Sequence, residues 1–524
     1  MIGRKGRGAF AGLVAVMLAG LALAAPAKDV RWSLARAKAW GDAQPWCCGV
    51  NYIPSNAINY TEMWDKTSFS PDLIRRELAL MKQYGLNTAR VFLQYLVYED
   101  DPAYYIRTFR TFLDICEANG VRVVPCFFDD CTFSPEVEPH LGKQDEPVLG
   151  WYSWAWTPSP GPRRVKDVNE HPKLEKFVKG MLTAFKDDPR VLMWDLYNEP
   201  VNTRNGPDAS LALLRKTFAW AREVDPSQPL TTGIWNGHAQ LNQFLLAESD
   251  VISFHCYGNP KVTRALILDL KKKAAGRPLI CTEWMNRPTL STVRGCLPLY
   301  AEADVGCIAW GLVNGKTQTH LRWGYRPKML PYKGRWQHDF FHTDFTPYDL
   351  EELDILKATV LMKTQPTTKV TLCPKLDPSP SAWAWTVKEP AADWTSPAFD
   401  DAAWTRSAGG FGNAAIVRDL PGTKVRTDWS SKDLWLRRHF TYKSTENIAA
   451  VFLDIHYDED PEIWLNGQKL CGWKGFSFGF ERQIISRAAF QKAVKEGDNV
   501  LAVKMGQSVG GQYFDLGLFL AIGK

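Results

Sequence analysis

The run Val191-Leu192-Met193-Trp194-Asp195-Leu196-Tyr197-Asn198-Glu199-Pro200 decides how the rest of the chain is read. Its apolar first half has the length of a buried strand. Pro200, which has no N–H for a ladder, stops that strand abruptly. Asn198 and Glu199 are thereby left side by side at the strand mouth. An amide beside an ionisable carboxyl can orient a hydroxyl-rich ligand and protonate a leaving oxygen. The same tripeptide also fits a plain strand-end turn with a solvated glutamate, so its neighbours must be read with it.

Outward from this strand the pattern alternates. Upstream, strands are expected at 46–52, 87–93 and 121–128, separated by helices at 71–84 and 104–119. Ser70 and Pro71 open the first helix, and Gly85 and Gly120 close the two. Downstream, helices at 209–224 and 263–274 lie among strands at 229–234, 250–254, 278–284 and 306–311. A helix at 174–185 precedes the Asn198-Glu199-Pro200 strand, and one at 347–362 ends the series. Eight strands with intervening helices over about 320 residues predict an α/β fold, a (β/α)8 TIM barrel.

Polar residues gather at one end of these strands. Asn51, Arg90, Asp129, Asn198, Glu199, His255, Tyr257, Glu283 and Trp310 each fall at a strand's carboxyl end, where barrel enzymes carry their sites. Glu199 and Glu283, from the fourth and seventh strands, would face each other across the mouth. Two carboxyl groups about 5 to 5.5 Å apart can carry out retaining glycoside hydrolysis, one as acid/base and one as nucleophile. Arg90 is a cation suited to keep Glu283 ionised, or else a structural ion-pair partner, and Tyr257 can hydrogen-bond the same carboxylate. His255 suits a substrate contact and a satisfied core histidine equally. The long connection 131–170 carries Trp151, Tyr152, Trp154 and Trp156. Trp151 and Trp154 are candidate platforms for the apolar faces of sugar rings, or packing residues of the loop itself.

With those residues in place the chain resembles the retaining β-glycosidases of glycoside hydrolase clan A, and family 5, the cellulase family, most closely. Gly49-Val50-Asn51, Arg90, Asn198-Glu199-Pro200, His255-Cys256-Tyr257, Thr282-Glu283-Trp284 and Trp310 carry the resemblance, over roughly 45–345. It implies Glu199 as acid/base and Glu283 as nucleophile. Asn198, Arg90, Tyr257, His255 and Trp310 would shape the subsite at the cleaved bond, with Trp284 beside them. One departure is Phe128-Asp129-Asp130, where many members present a histidine, so the hydroxyl pattern recognised can differ from that of cellulose. The expectation is an exported hydrolase of oligo- or polysaccharides that needs no cofactor or metal. A non-catalytic carbohydrate-binding protein and a transglycosylase are the alternatives.

The 524-residue chain is 45% hydrophobic and 23% charged, a globular composition too long for one core. Arg4, Lys5 and Arg7 precede an apolar run to Ala25, which reads as a signal peptide over 1–27 and a secreted or periplasmic location. Without it the formal charge of +6 falls to +3, which indicates neither nucleic acid nor, after signal removal, membrane as a partner. The eleven cysteines read mainly as buried thiols, with Cys126 and Cys131, or Cys47 and Cys48, able to pair. Asn59-Tyr60-Thr61 is a glycosylation sequon if the host modifies exported proteins. Gly311 to Thr317 is one residue short of a phosphate loop and reads as a cleft loop. The barrel domain is expected over 28–363 and a Thr/Pro/Ser-rich linker over 364–382. An all-β sandwich (jelly-roll) follows over 383–524 and resembles the galactose-binding-like domains attached to glycosidases.

Overall fold

The computed structural model of the protein describes residues 31–133, 138–202, 207–417, 422–477 and 479–523. The expected signal peptide lies outside the described residues. Eight strands form the first domain: β1 Cys48–Asn51, β2 Thr88–Phe92, β3 Arg122–Asp129, β4 Trp194–Asn198, β5 Leu230–Thr231, β6 Ile252–Cys256, β7 Leu279–Trp284 and β8 Gly306–Trp310. They run parallel in the order β5-β4-β3-β2-β1-β8-β7-β6. Between β5 and β6 the barrel is drawn together by one parallel bridge, Ile234 to Phe254. These strands are buried on both faces, which is why they read as nearly continuous apolar runs. Val124, Leu192, Met193, Val251, Ile280 and Ile308 form a separate buried cluster from the amino-terminal halves of the strands and the residues leading into them.

The helix Pro71–Tyr84 shows how local signals become packing. Pro71 sits in its first turn, Ile74, Leu78 and Met81 line the buried stripe, and Gly85 closes it in the left-handed conformation at φ 77°. Three helices of ten residues each escape such reading. Ala239–Glu248 is capped by His238, whose Nδ1 accepts from the Leu241 amide at 3.2 Å. Val293–Glu302 contains Pro298 in its interior, and Leu34–Ala43 precedes the first strand.

The linker expected over 364–382 is corrected in part. Thr367–Cys373 is a strand that pairs antiparallel with Tyr513–Gly523 of the second domain. Its β-branched residues Thr367, Thr368, Val370 and Thr371 supply the strand propensity that a Thr-rich composition conceals. The sandwich has two six-stranded sheets, one centred on Asp433–Tyr442 paired with Gly497–Gly506, the other on Ile448–Asp458 paired with Tyr513–Gly523. Asn466-Gly467 makes the hairpin turn with positive φ at both residues. Phe452, Ile484 and Phe519 continue the barrel's hydrophobic core, and Ser486 Oγ donates to Asp354 at 2.8 Å, so this face of the sandwich packs on the barrel's outer helices. Asp458-Glu459-Asp460 is an acidic stretch in which the Asp460 carboxylate accepts from Lys474 and the Gly475 amide.

All eleven cysteines are free thiols, so neither suggested pair is formed. The Asn59 sequon is unavailable to a glycan: the side chain is 1% exposed and donates to Gln144 Oε1 and the Ala155 carbonyl, both at 2.9 Å. Among the described residues no helix is long and apolar enough to cross a membrane.

The weak seam between β5 and β6 is reinforced at its base by Asp250. Its carboxylate, fully buried, accepts from Arg222 Nη1 and Nη2 at 2.7 and 2.8 Å, and from the Leu230 and Trp32 amides at 2.8 Å each. Removing one partner of such a pair strands the other charge. Asp250→Ala is expected to cost about 3–5 kcal/mol in denaturant titration, whereas Asp269→Ala, from an exposed pair with Lys273, should stay within about 0.5 kcal/mol.

Candidate active site

Arg90, fully buried on β2, is the centre of the site. Its Nη1 donates to Asn51 Oδ1 at 2.7 Å and Glu283 Oε1 at 2.8 Å, its Nη2 to Asn198 Oδ1 at 2.8 Å, and its Nε to Asp195 Oδ2 at 2.9 Å. Burial alone would lower its pKa, but Asp195, the Cys126 thiol and Glu283 raise it above the ordinary arginine value. One guanidinium thus sets the positions of side chains from β1, β4 and β7. Glu283 is held on its other oxygen by Tyr257 Oη at 2.8 Å. Burial, then the charge of Glu283, pushes the Tyr257 hydroxyl well above its usual range, so it stays a donor.

Glu199 has different company. His255 Nδ1 lies 2.9 Å from its Oε1, and Asn202 Nδ2 donates to its Oε2 at 2.6 Å. The backbone at Glu199 is left-handed, φ 43°, and at the next residue but one, Val201, φ is 76°. Asp130 brackets this turn. Its amide donates to the Asn198 carbonyl at 3.2 Å, and its carboxylate accepts from the Val201 amide at 2.8 Å and the Tyr197 hydroxyl at 2.8 Å. Trp235 Nε1 donates to the Pro200 carbonyl at 3.0 Å. Gly233 gives His255 its space, since a Cβ there would stand 2.9 Å from His255 Nε2.

One oxygen of Glu199, one of Glu283 and one ring nitrogen of His255 lie within 4.8 Å of one another. That spacing would also suit ligation of a cation, but Arg90 already places a positive charge against Glu283. The carboxylates open into a cavity of about 480 Å³ walled by Phe92, Tyr152, Trp156, Trp235, Trp310 and Trp323.

Of the residues singled out from sequence, Asn198, Glu199, His255, Tyr257, Glu283 and Trp310 line this cavity. Asn51, Arg90 and Asp129 hold that lining through hydrogen bonds. Three others stand elsewhere. Trp284 follows the inward Glu283 and so points to the opposite face of β7, where it is 1% exposed and packs on Tyr300 at 5.4 Å. Trp151 and Trp154 pack on each other at 4.6 Å, with Arg326 over Trp151, and neither lines the cavity. From the same tryptophan-rich loop it is Tyr152 and Trp156 that do. Asn202, Trp235 and Trp323 went unread because each is a single residue in a loop without a motif. Asp195 was hidden in the apolar run that announced the strand.

Carboxyl groups facing each other across the mouth of a parallel barrel, under walls of aromatic rings, define the class as glycoside hydrolase. Residues 54–314 match the cellulase family, glycosyl hydrolase family 5, and the barrel of this chain belongs to it. No curated protein matches the chain. Among solved structures it is similar to the exo-β-1,4-mannosidase Op5Man5 from Opitutaceae bacterium strain TAV5, at 18% identity and TM-score 0.43, over 61% of this chain and 60% of that one. The hyperthermostable endo-1,4-β-D-mannanase from Thermotoga petrophila RKU-1 matches at 13% identity and TM-score 0.40, over 61% of this chain and 100% of its own. An endo-β-1,4-mannanase from Thermotoga petrophila matches at 11% identity and TM-score 0.42, over 91% and 98%.

Asp129, where the family often has histidine, accepts on both oxygens: Asn198 Nδ2 at 2.7 Å and the Cys131 amide at 2.8 Å on one, Trp156 Nε1 at 2.9 Å on the other. Burial raises its pKa from 3.8 to about 7 against these hydrogen bonds, with Glu199 adding to the rise. The folded chain therefore holds a proton that the unfolded chain has released. The resulting stabilisation is complete below about pH 4 and is lost as pH rises through about 7. Asp129→Asn abolishes it and sets an NH2 group against a donor. Its Tm relative to wild type should rise from about pH 5 to about pH 8, and kcat/KM should fall about 100-fold as Asn198 loses its orientation.

Proposed function

We propose that this chain is an exported retaining β-glycoside hydrolase that cleaves an oligo- or polysaccharide by double displacement. The observation that carries the reading is the approach of the Glu199 and Glu283 carboxylates to within 4.8 Å, with Arg90 and Tyr257 on Glu283, Asn202 on Glu199 and His255 between the two. A separation near 5 Å leaves no room for a water between carboxylate and sugar and suits direct attack, whereas inversion needs about 6.5–9.5 Å. Arg90 and Tyr257 fix both oxygens of Glu283, which leaves a lone pair to meet the anomeric carbon. In the first step Glu283 bonds to that carbon as the glycosidic C–O bond breaks, and Glu199 gives its proton to the departing oxygen. In the second, water attacks the glycosyl-enzyme ester, Glu199 takes the water's proton, and Glu283 leaves as carboxylate. Trp310 offers an apolar face to the ring under attack. The sandwich serves in this reading to brace the barrel's outer helices.

The test is turnover of the mature chain on aryl β-glucosides, β-mannosides, β-galactosides and β-xylosides. Wild-type activity is expected on at least one, with the β-anomer released first by NMR. Glu283→Gln should lower kcat by about 10⁴-fold or more, and Glu199→Gln by about 10²-fold or more. A carbohydrate-binding protein without catalysis would bind these sugars and turn over none. A transglycosylase would pass the glycosyl group to added sugar in preference to water.

A further inference from the structure

The mouth of the barrel is walled unevenly. Among the described residues, the segments after β8, β1 and β3 are tied into one rim, although they lie far apart in the chain. Gln318, in the loop after β8, accepts from the Gly150 amide at 2.9 Å and donates to the carbonyls of Val148 at 3.0 Å and Trp151 at 3.3 Å. The Ser153 amide donates to the Thr317 carbonyl at 2.9 Å. The segment after β1 is tied to both loops: the Lys316 amide donates to the Ser55 carbonyl at 3.0 Å, and Asn59 donates to Gln144 and Ala155. A Cβ on Gly315 would stand 2.3 Å from the Ser55 carbonyl oxygen, so nothing separates those two segments.

The space inside this rim is filled. Trp156 packs against Tyr60 at 5.0 Å, Phe92 at 5.2 Å and Trp310 at 5.7 Å, and all four rings are buried. Among the described residues, the lining above β4, β5 and β6 carries no such ring stack, and it is half-buried, as Cys131, Thr132 and Phe133 just after β3 also are. Asn202, Trp235 and Gly258 are half-buried, and Trp323, which leans on Tyr257, is 42% exposed.

Chemistry gives this asymmetry a direction, on the double-displacement reading above. Glu199 protonates the leaving oxygen, so the departing group lies on the β4 side with Asn202 and Trp235. Glu283 attacks from the opposite face, and the sugar it captures lies toward Trp310 and the closed rim. We propose that the side of the cavity between Glu283, Trp310 and Trp156 takes a single sugar ring, the non-reducing end of a β-linked chain, and that the enzyme removes monosaccharides one at a time. The remainder of the chain runs out over the β4 to β6 edge, across the indole of Trp235, whose plane is fixed by its bond to the Pro200 carbonyl. A second sugar on the captured side would have to occupy the volume of Trp156.

The test uses the full wild-type chain with cellohexaose and β-1,4-mannohexaose, each carrying a fluorescent tag at the reducing end, sampled early in the reaction. The expected labelled product is the pentaose alone, accompanied by free monosaccharide. The same hexaose blocked at its non-reducing end by a 4,6-benzylidene group should remain intact. Labelled products of four sugars or fewer appearing together with the pentaose, or cleavage of the blocked hexaose, would overturn the single-ring cavity while leaving hydrolysis established. If the matching aryl glycoside is turned over and neither hexaose is cut, the path assigned to the outer chain is wrong. Absence of turnover on every aryl glycoside would instead overturn the hydrolase reading itself.

Discussion

The structure depends on a guanidinium placed where water cannot reach it. Moving Arg90 into the barrel costs several kcal/mol of lost hydration, and that cost is offset only because Asp195 and Glu283 stand against it with complementary charge and the Asn51 and Asn198 amide oxygens take further N–H groups. Such a cluster is a poor device for stability, since well-packed hydrocarbon would do as well. Its value is positional. A planar fork with fixed donor directions ties three strands to one geometry, so Glu283 and Asn198 have few ways to stand other than as they do.

Glu199 is governed by a different constraint. A non-glycine residue in the left-handed region costs about 1–2 kcal/mol, and Val201, β-branched, adds its own strain nearby. The turn persists because its flanks are pinned: Asp130 holds Asn198 and Val201, and Trp235 holds Pro200. The proline that ends the strand in the sequence is thus also a handle by which a neighbouring loop steadies the turn. The two candidate carboxylates are fixed by opposite means, one by charge from below and the other by backbone strain held from the side.

This difference explains what could be read from sequence. Strand ends are written locally: an apolar run that stops in polar residues made Asn51, Glu283 and, with Pro200 as breaker, Asn198 and Glu199 visible, whereas Arg90 proved to sit in the middle of Thr88–Phe92 and not at its carboxyl end. Trp284 was misplaced because resemblance carries a motif without its side-chain direction, and strict alternation along β7 turns it to the outer face. The choice of Trp151 and Trp154 over Tyr152 and Trp156 has a similar cause. Four aromatic residues within six positions announce a surface, but which of them faces the cavity is set by Gln318, more than 160 positions away. The Pro298 helix and the Thr367–Cys373 strand were hidden for a related reason, since tertiary packing overrode a breaker in one and sheet pairing overrode a linker-like composition in the other.

The latch made by Gln318 bears on how this barrel can diversify. Barrel enzymes are commonly pictured as a constant scaffold with independent loops, each free to be lengthened, shortened or traded. Here several backbone amides and carbonyls of the loop after β3 are completed by the loop after β8, and both lean on the segment after β1. A transplant of any one of these into another barrel would leave unpaired backbone groups at the seam. The three segments are held as one hydrogen-bonded unit, and a new pocket shape on this scaffold would require changing them together.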